Sequence, residues 1–275
     1  VVPSTGVPEG VAPPPGLEDE RLGFADVVRD PDGVVRRHLI AMNPPAASPC
    51  STYYALSFQL ALRYLKAKGT SLKFITENHW QLGSLDLKRL EDKTGFYQKS
   101  VSLEGFQILL NYRLHPFQPL SEKVTFADVV NNQVNPNVVK DKIILIGVTD
   151  SIVKDNFTTP DNQEIRGLLL HAQMVSQILS AVEERRKLLW LLPLWGDACW
   201  VWAWSLGGGL LGLYCLSSPM RLGLAGTVAL ISLNGIGLIV LLTKGCLLPL
   251  IPSSLALVVT GASFVICKPF PSQES

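Results

Sequence analysis

Charged residues are distributed very unevenly along this chain, and the last 88 residues contain almost none. Of the 24 Lys and Arg and the 23 Asp and Glu residues, all but five lie at or before Lys187. The five exceptions are Asp197, Arg221, Lys244, Lys268 and Glu274. A soluble domain usually carries about a quarter of its residues as charged side chains. The C-terminal part is therefore suited to lipid, and the bilayer is its expected partner.

Three apolar runs occupy this C-terminal part, each close to the roughly 20 residues that a helix needs to cross a bilayer. Within a membrane region at 188–268 we predict transmembrane helices at about 198–216, 222–243 and 246–267. Glycines in the first two runs favour close helix packing, and Asn234 is expected to form a hydrogen bond between helices. The runs contain no charged side chain, which argues against a transport path.

The residues before the membrane region have the pattern of a soluble α/β domain, a mixed sheet with flanking helices. We predict a Pro- and Gly-rich loop at 1–22, a domain at 23–187 and, after the membrane helices, a short tail at 269–275. The predicted strands are Val34–Met42, Leu72–Ile75, Gly105–Leu114 and Ile143–Val148, and the predicted helices are Ser51–Lys68, ending at Gly69, Phe126–Asn131 and Gly167–Val182. The continuous apolar run Ile143–Val148 predicts a strand buried on both faces.

Polar residues after this apolar run form the most informative candidate site. In open α/β sheets, ligands bind beyond the carboxyl ends of the strands, which favours the loop from Thr149 to Pro160. Asp150, Asp155 and His171 have the chemistry of a metal or acid–base group. Asp residues also cap helices and stabilise turns by local hydrogen bonds, and we weigh that structural role at about three to one. Both interpretations stay open at this point.

Several functional classes lack their usual signatures in this sequence. It has no phosphate-binding loop of the form G-x-x-x-x-G-K-[ST], no G-x-S-x-G nucleophile elbow and no H-E-x-x-H pair. The four histidines are far apart, and Cys50 is the single cysteine before the membrane region, so no disulfide is expected within the soluble domain. A neutral soluble part without a basic block gives no reason to expect nucleic acid. We expect neither a cofactor nor a metal.

Five short motifs precede the apolar runs in a fixed order. They are Asp32–Arg37 (DGVVRR), Leu109–Arg113 (LLNYR), Lys142–Thr149 (KIILIGVT), Asp155–Pro160 (DNFTTP) and Gly167–Ala172 (GLLLHA). With this combination the chain resembles the type 2 CHASE (cyclase/histidine kinase-associated extracellular) sensor domain from Gly23 to about Lys268. Gln173–Leu179 and the Trp-rich first apolar run resemble the cyanobacterial forms most closely.

The resemblance implies a sensory input module in the inner (plasma) membrane, anchored by several spans. A soluble domain outside the cytoplasm would detect an undefined signal, and the helices would pass it to a cytoplasmic kinase or nucleotide cyclase, in the same chain or in a separate one. A homodimer is compatible with this role. The family usually opens with a transmembrane helix and a further α/β half and ends in an output domain. We therefore expect this chain to correspond to the C-terminal half of a sensor with its anchor, and any catalytic output to lie outside it.

For ligand binding we select Arg37, Arg113, Asp150, Asp155 and His171, each of which is also explicable as a residue that maintains the fold. A first alternative function is a membrane-tethered enzyme that uses Asp150, Asp155 and His171. A second is a structural partner in a membrane assembly.

Charges beside the membrane favour the opposite sidedness to the one that the resemblance implies. With three spans, Arg185, Arg186, Lys187 and Lys244 lie on the side of the soluble domain, whereas Arg221 and Lys268 lie on the other. The positive-inside rule alone would place the soluble domain in the cytoplasm. The excess is two charges, and Glu183 and Glu184 adjoin the basic residues.

Overall fold

The computed structural model describes residues 12–44, 48–50, 52–91, 94–95, 97, 101–113, 122–150, 152–215 and 218–266. The chain divides into two compact units. The first unit comprises Val1–Leu90 with Val101–Leu188, and the second comprises Glu91–Ser100 with Leu189–Ser275. The predicted tail at 269–275 and the first 11 residues of the predicted loop at 1–22 lie outside the described residues.

The first unit mixes strands and helices, as the sequence predicted. Its strands pair antiparallel in three small sheets, β1 with β5, β2 with β3 and β4, and β6 with β7, so the described residues do not form the single mixed sheet that we expected. The elements are a 3-10 turn (Asp19–Arg21), β1 (Arg37–Ala41), α1 (Leu56–Ala67), β2 (Leu72–Thr76), β3 (His79–Leu82), β4 (Leu85–Lys88), β5 (Phe106–Leu109), α2 (Phe126–Val130), α3 (Pro136–Val139), β6 (Asn156–Thr158), β7 (Glu164–Arg166) and α4 (Gly167–Glu183).

The main hydrophobic core of the first unit is formed by side chains from β1, β5, α1, β3, β4 and α4. Helix α1 buries Phe58, Ala61 and Leu65, which recur at helical spacing on one face. The predicted helix from Ser51 begins later, at Leu56, because Tyr54 and Ala55 form β-bridges instead. Gly69, with φ +84°, follows the end of α1 in the left-handed conformation that favours glycine.

Strand β1 is shorter than the predicted strand Val34–Met42 and is fully buried. Val34, just before β1, bridges to Thr158 in β6, and the backbone N–H of Val35 donates to the carbonyl of Thr158 at 2.9 Å. The chain therefore leaves one partner strand and joins another within a few residues. This change of partner explains why the observed strand begins only at Arg37.

The apolar run Ile143–Val148 does not form the predicted buried strand. It pairs with no strand among the described residues, and Ile146 is 92% exposed. Gly147 is the point at which the run approaches α4, through the side chain of Leu168. An apolar run becomes a buried strand only where neighbouring strands cover both of its faces. The described residues provide no such neighbours.

The second unit contains three helices that follow the predicted apolar runs. They are α5 (Leu194–Tyr214), α6 (Pro219–Lys244) and α7 (Leu250–Ile266), with the short parallel pair β8 (Trp190–Leu191) and β9 (Cys246–Leu247). Helix α7 starts later than predicted because Cys246 and Leu247 belong to β9. Among the described helices, α6 alone is both long and apolar enough to cross a bilayer. The prediction of three spans therefore receives partial support.

Helices α5 and α7 pack closely through small residues. A Cβ added at Gly208 in α5 would collide with the carbonyl oxygen of Leu257 and the hydroxyl of Thr260, both in α7. The same Thr260 hydroxyl donates to the carbonyl of Ser205 at 2.8 Å. Helix α6 is much more exposed and contacts α7 where Gly237 meets Leu250. The predicted packing role of the glycines is thus observed at Gly208 and Gly237.

Candidate functional site

Arg37 is buried at the start of β1 and has a full set of hydrogen-bond acceptors. Its Nε donates to Asp30 at 2.7 Å, its Nη1 donates to the side chain of Gln107 at 2.8 Å and to the carbonyl of Ser102 at 2.9 Å, and its Nη2 donates to the carbonyl of Arg29 at 3.1 Å. These contacts tie β1 to β5 and to the preceding loop. They are the contacts expected of a residue that maintains the fold.

His38, the next residue of β1, is completely buried. Its Nε2 lies 2.8 Å from Oγ of Ser57 in α1, and Nδ1 is buried without a hydrogen-bond partner at normal distance. Burial first, and then the neighbouring His171, lower its pKa to about 3, against a smaller opposing effect of Gln177. His38 is therefore neutral at physiological pH, and its protonation requires a change in its surroundings.

His171 lies in the first turns of α4, close enough to His38 for their charges to interact. Burial lowers its pKa, while Asp155 and the backbone of Ala25 oppose that shift. The Nδ1 atom of His171 is buried without a hydrogen-bond partner. We call His38 and His171 the histidine pair. It combines two neutral imidazoles with unused ring nitrogen atoms inside the unit.

Asp155 joins the histidine pair to the beginning of α4. Its carboxylate lies against Gly167, the first residue of the helix, where an added Cβ would collide with it. The backbone N–H of Gly167 also donates to the carbonyl of Asp155 at 3.0 Å. A negative charge beside a helix N-terminus is favourable because the unpaired N–H groups carry partial positive charge. Asp155 is also close enough to His171 for its charge to oppose the lowering of the His171 pKa, so two of the three candidate residues are neighbours.

Asp150, the third member of the predicted acid–base group, lies on the exposed segment before α4. Its Oδ1 accepts from the backbone N–H of Ile152 at 2.8 Å, which is a local turn contact. Among the described residues, no group of three or more His, Cys, Asp and Glu side chains is arranged to hold a metal ion.

Asp26 is a further titratable group on the chain segment that contacts His171 through Ala25. Burial raises its pKa to about 6, and its Oδ2 is buried without a hydrogen-bond partner. The carboxyl group therefore changes its protonation state near neutral pH.

The other end of α4 is held by a group of polar contacts that includes the fifth predicted residue, Arg113. Its guanidinium forms an ion pair with Glu184, the residue after α4, and its backbone N–H donates to the side chain of Gln173 at 2.9 Å. Arg186 donates to the side chain of Asn111 at 2.9 Å and to the carbonyl of Tyr112 at 2.8 Å. We call Asn111–Arg113, Glu184 and Arg186 the clamp.

The clamp fixes the chain at the point where it leaves the first unit. Asn111 completes it by donating from Nδ2 to the carbonyl of Lys187 at 3.2 Å. Arg186 is partly buried, and that burial lowers its pKa while one of its nitrogen atoms, Nη1, stays without a partner. The segment after β5 therefore holds the connector between α4 and the second unit by side-chain and backbone contacts.

His38, Asp26 and Arg186 are not among the residues selected from the sequence. His38 and Arg186 adjoin selected or basic residues, but a basic side chain in a strand or beside a membrane is usually solvated, so no specific sequence signal marks them. His38 is buried only because β1 is covered on both sides. Ligand binding by Arg37, Arg113, Asp150, Asp155 and His171 stays a prediction.

Comparison with protein families gives one match of broad extent. The model of the CHASE2 domain matches residues 1–210, which includes the histidine pair, the clamp and most of α5. No curated protein and no solved structure is significantly similar to the chain.

Proposed function

Because this chain belongs to the CHASE2 family, whose members are extracellular sensor domains of cyclase- and kinase-linked receptors, we propose that it is the input module of such a receptor. In this proposal the first unit detects an extracytoplasmic signal, and the second unit anchors it in the plasma membrane. The signal passes to a cytoplasmic kinase or nucleotide cyclase in the same chain or in a partner. A sensory family favours this role over a membrane-tethered enzyme.

The observation that carries the proposal is the extent of the family match. It covers the first unit and continues without a break into α5, as far as residue 210. The matched sequence therefore combines a folded α/β unit with the beginning of an apolar helical region. An input domain continuous with a membrane anchor has this arrangement.

Membrane anchoring is supported by α6 and by the composition around it. Helix α6 has 26 residues and a mean hydropathy of 2.1 over its most apolar window, and only 11% of that window is buried by the rest of the protein. An apolar helix with so little protein cover needs a lipid environment. We propose that α5 and α7 cross the bilayer with it, which places the C-terminus opposite the first unit.

Helix α4 offers a route for the signal within the first unit. His171 and Asp155 lie at its beginning, beside His38 of β1, and the clamp lies at its end. A ligand or proton that favours a second arrangement of the histidine pair would shift α4, and the clamp would carry that shift into Lys187 and the following chain. Such coupling requires that the signal bind the two arrangements with different affinity.

Sidedness can be tested with cysteine variants of the chain in intact cells. Lys88→Cys creates a thiol at an exposed position of strand β4, and Leu87→Cys creates one at the buried position next to it. Both variants are made in a chain whose exposed native Cys199 is replaced by Ser. We then expect a membrane-impermeant maleimide to label the first variant and not the second. A fluorescent protein fused after Ser275 should be fluorescent, because that reporter folds in the cytoplasm. Labelling of Lys88→Cys only after lysis would refute the proposed topology and support the cytoplasmic orientation that the positive-inside rule favours.

A further inference from the structure

Asn234 is an exposed polar side chain near the middle of the apolar helix α6. It lies about 4 Å along the helix axis from the midpoint of Pro219–Lys244, at 1.5 Å per residue. If α6 crosses the bilayer, as proposed above, this amide lies deep in the hydrocarbon. The inference that follows rests on that part of the proposed function.

The side-chain amide of Asn234 has hydrogen-bonding groups without a partner in the described part of the chain, whereas the three hydroxyl groups of α6 have all donated their hydrogen. The hydroxyls of Thr227, Ser232 and Thr243 each donate to the carbonyl four residues earlier, at 2.7 to 2.9 Å. Asn234 donates from Nδ2 to the carbonyl of Leu230 at 2.8 Å, its single side-chain hydrogen bond among the described residues. One N–H and the carbonyl oxygen of the amide are left over. Both are costly to leave unpaired in hydrocarbon.

Within the part of the chain that the structure describes, the other helices do not provide the missing partner. The side of α6 that packs within the second unit carries Leu233 and Gly237, the two buried residues of the helix. Asn234 is about 100° around the helix from Leu233 and is exposed. The hydrogen bond between helices that the sequence predicted for Asn234 is therefore not formed by the described residues of one copy.

We propose that α6 pairs with α6 of a second copy of this chain, and that the two Asn234 amides hydrogen-bond each other. Two copies inserted with the same topology place identical residues at the same depth, around a two-fold axis along the membrane normal. An amide has both a donor and an acceptor and is therefore complementary to itself. No other partner needs to supply a matching group at that depth.

The surface around Asn234 permits the close approach that this pairing requires. Gly223 and Thr227 lie about three and two helical turns before Asn234, on the same stripe, and are exposed. A Cβ at Gly223 would meet nothing within 4 Å, so a neighbouring helix can approach its backbone. Small residues four apart are a common contact between transmembrane helices.

Self-association of the full chain in lipid vesicles tests this pairing. Copies labelled at the C-terminus with donor and acceptor fluorophores are diluted with lipid, and energy transfer gives the association constant. We expect Asn234→Leu to lower that constant about fivefold. Asn234→Gln keeps the amide and should retain most of the association. Ser232→Leu is the matched control, because Ser232 lies about 160° around the helix and its hydroxyl is already paired.

The outcomes separate this inference from the proposed function. Resistance of each variant to alkaline extraction from the vesicles reports whether the helices are embedded. Loss of association in Asn234→Leu alone, with all variants embedded, supports the pairing. A monomeric wild-type chain, or equal association of Asn234→Leu and wild type, overturns it and leaves the anchor intact. Extraction of the wild-type chain by alkali would instead overturn the membrane anchor, and the pairing with it.

Discussion

The Nε atom of Arg37 donates to Oδ1 of Asp30 at 2.7 Å, with both side chains enclosed by the first unit. Replacing Arg37 by Met leaves the Asp30 carboxylate buried with less compensation. We expect the free energy of unfolding to fall by about 3 kcal/mol, the lower end of the range for a broken buried ion pair. Urea unfolding of the full chain in detergent, followed by the near-ultraviolet circular dichroism of buried aromatic residues, measures it.

Arg36→Met is the control for this change. The Arg36 side chain is 38% exposed and pairs with Asp32 as well as Asp30. A surface ion pair contributes at most about 1 kcal/mol. An equal decrease in the free energy of unfolding of the two variants would show that the buried ion pair contributes no more to stability than the exposed one.

Because the pKa of His38 is lowered in the folded chain, we expect the chain to lose stability in acid. Its pKa is about 3 in the folded chain and 6.5 in the unfolded chain, so between these values the unfolded state binds more protons. Stability therefore decreases as the pH falls through this interval, by about 2 kcal/mol from pH 7 to pH 5. His38→Gln should remove that part of the pH dependence. His79→Gln, at a partly exposed position of β3 where the imidazole lies 3.0 Å from Oδ1 of Asp86, tests the loss of a histidine as such. An unchanged pH dependence in His38→Gln would contradict this prediction.

The raised pKa of Asp26 leads us to expect the opposite dependence of stability on pH. Burial raises its pKa to about 6 from 3.8, so the folded state binds more protons between these values and stability falls as the pH rises through them. Asp26→Asn should stabilise the chain at pH 7 by about 1 kcal/mol, discounted for partial exposure, and should have no effect at pH 4. Thermal unfolding at both pH values measures this.

Asp32 provides a contrast for the same measurement. The hydrogen bond from Arg36 holds the pKa of Asp32 at about 2, below its usual value. Asp32→Asn should therefore weaken the chain at pH 7. If both substitutions shift the melting temperature in the same direction, the assignment for Asp26 is wrong.

We expect the hydrogen bonds of Arg186 to stabilise the connector that follows α4. Arg186→Ala removes the two hydrogen bonds to Asn111 and Tyr112, so backbone amides from Glu184 to Leu188 should exchange with solvent about tenfold faster, equivalent to about 1.4 kcal/mol of lost protection. Hydrogen exchange with mass spectrometry measures this. Arg185→Asn is the control, because Arg185 is exposed with φ +55°, a conformation that Asn tolerates. Equal exchange in both variants would exclude a special role for Arg186.

Two neighbouring glycines give a matched test of packing in the second unit. Gly208→Ala places a methyl group against the backbone of Leu257, whereas Gly207→Ala meets nothing within 4 Å. We expect the first change to lower stability in detergent by about 1–3 kcal/mol, as overpacking does, and the second to have almost no effect. A thermal scan of the helical circular dichroism checks both. Comparable behaviour of the two variants would show that α5 and α7 are not in the described contact.

Local sequence patterns predicted the elements whose stability is local. Helix α1 was predicted from apolar residues at helical spacing and a following glycine, and α2 begins with a capping box between Thr125 and Asp128. The apolar runs gave α5, α6 and α7 for the same reason, because a lipid-facing helix satisfies its own backbone. Their ends shifted where flanking residues formed bridges, as at Tyr54 and Cys246.

Features that depend on distant residues could not be predicted in this way. The burial of His38 requires Ser57 from α1 and Gln177 from α4, and nothing in the strand sequence specifies either. Arg186 meets Tyr112 across 74 residues. Asp155 and His171 were selected together because both follow the apolar run, but the position of the Asp155 carboxylate near His171 requires the absence of a side chain at Gly167.

The exposed apolar run Ile143–Val148 has a consequence for handling the protein. Six consecutive residues without charge or proline, rich in β-branched side chains and unpaired with other strands among the described residues, have the composition of segments that stack into cross-β fibrils. At high concentration this segment is the expected starting point of aggregation. A lysine in place of Ile146, which is almost fully exposed, would interrupt that stacking at little expense to the folded unit.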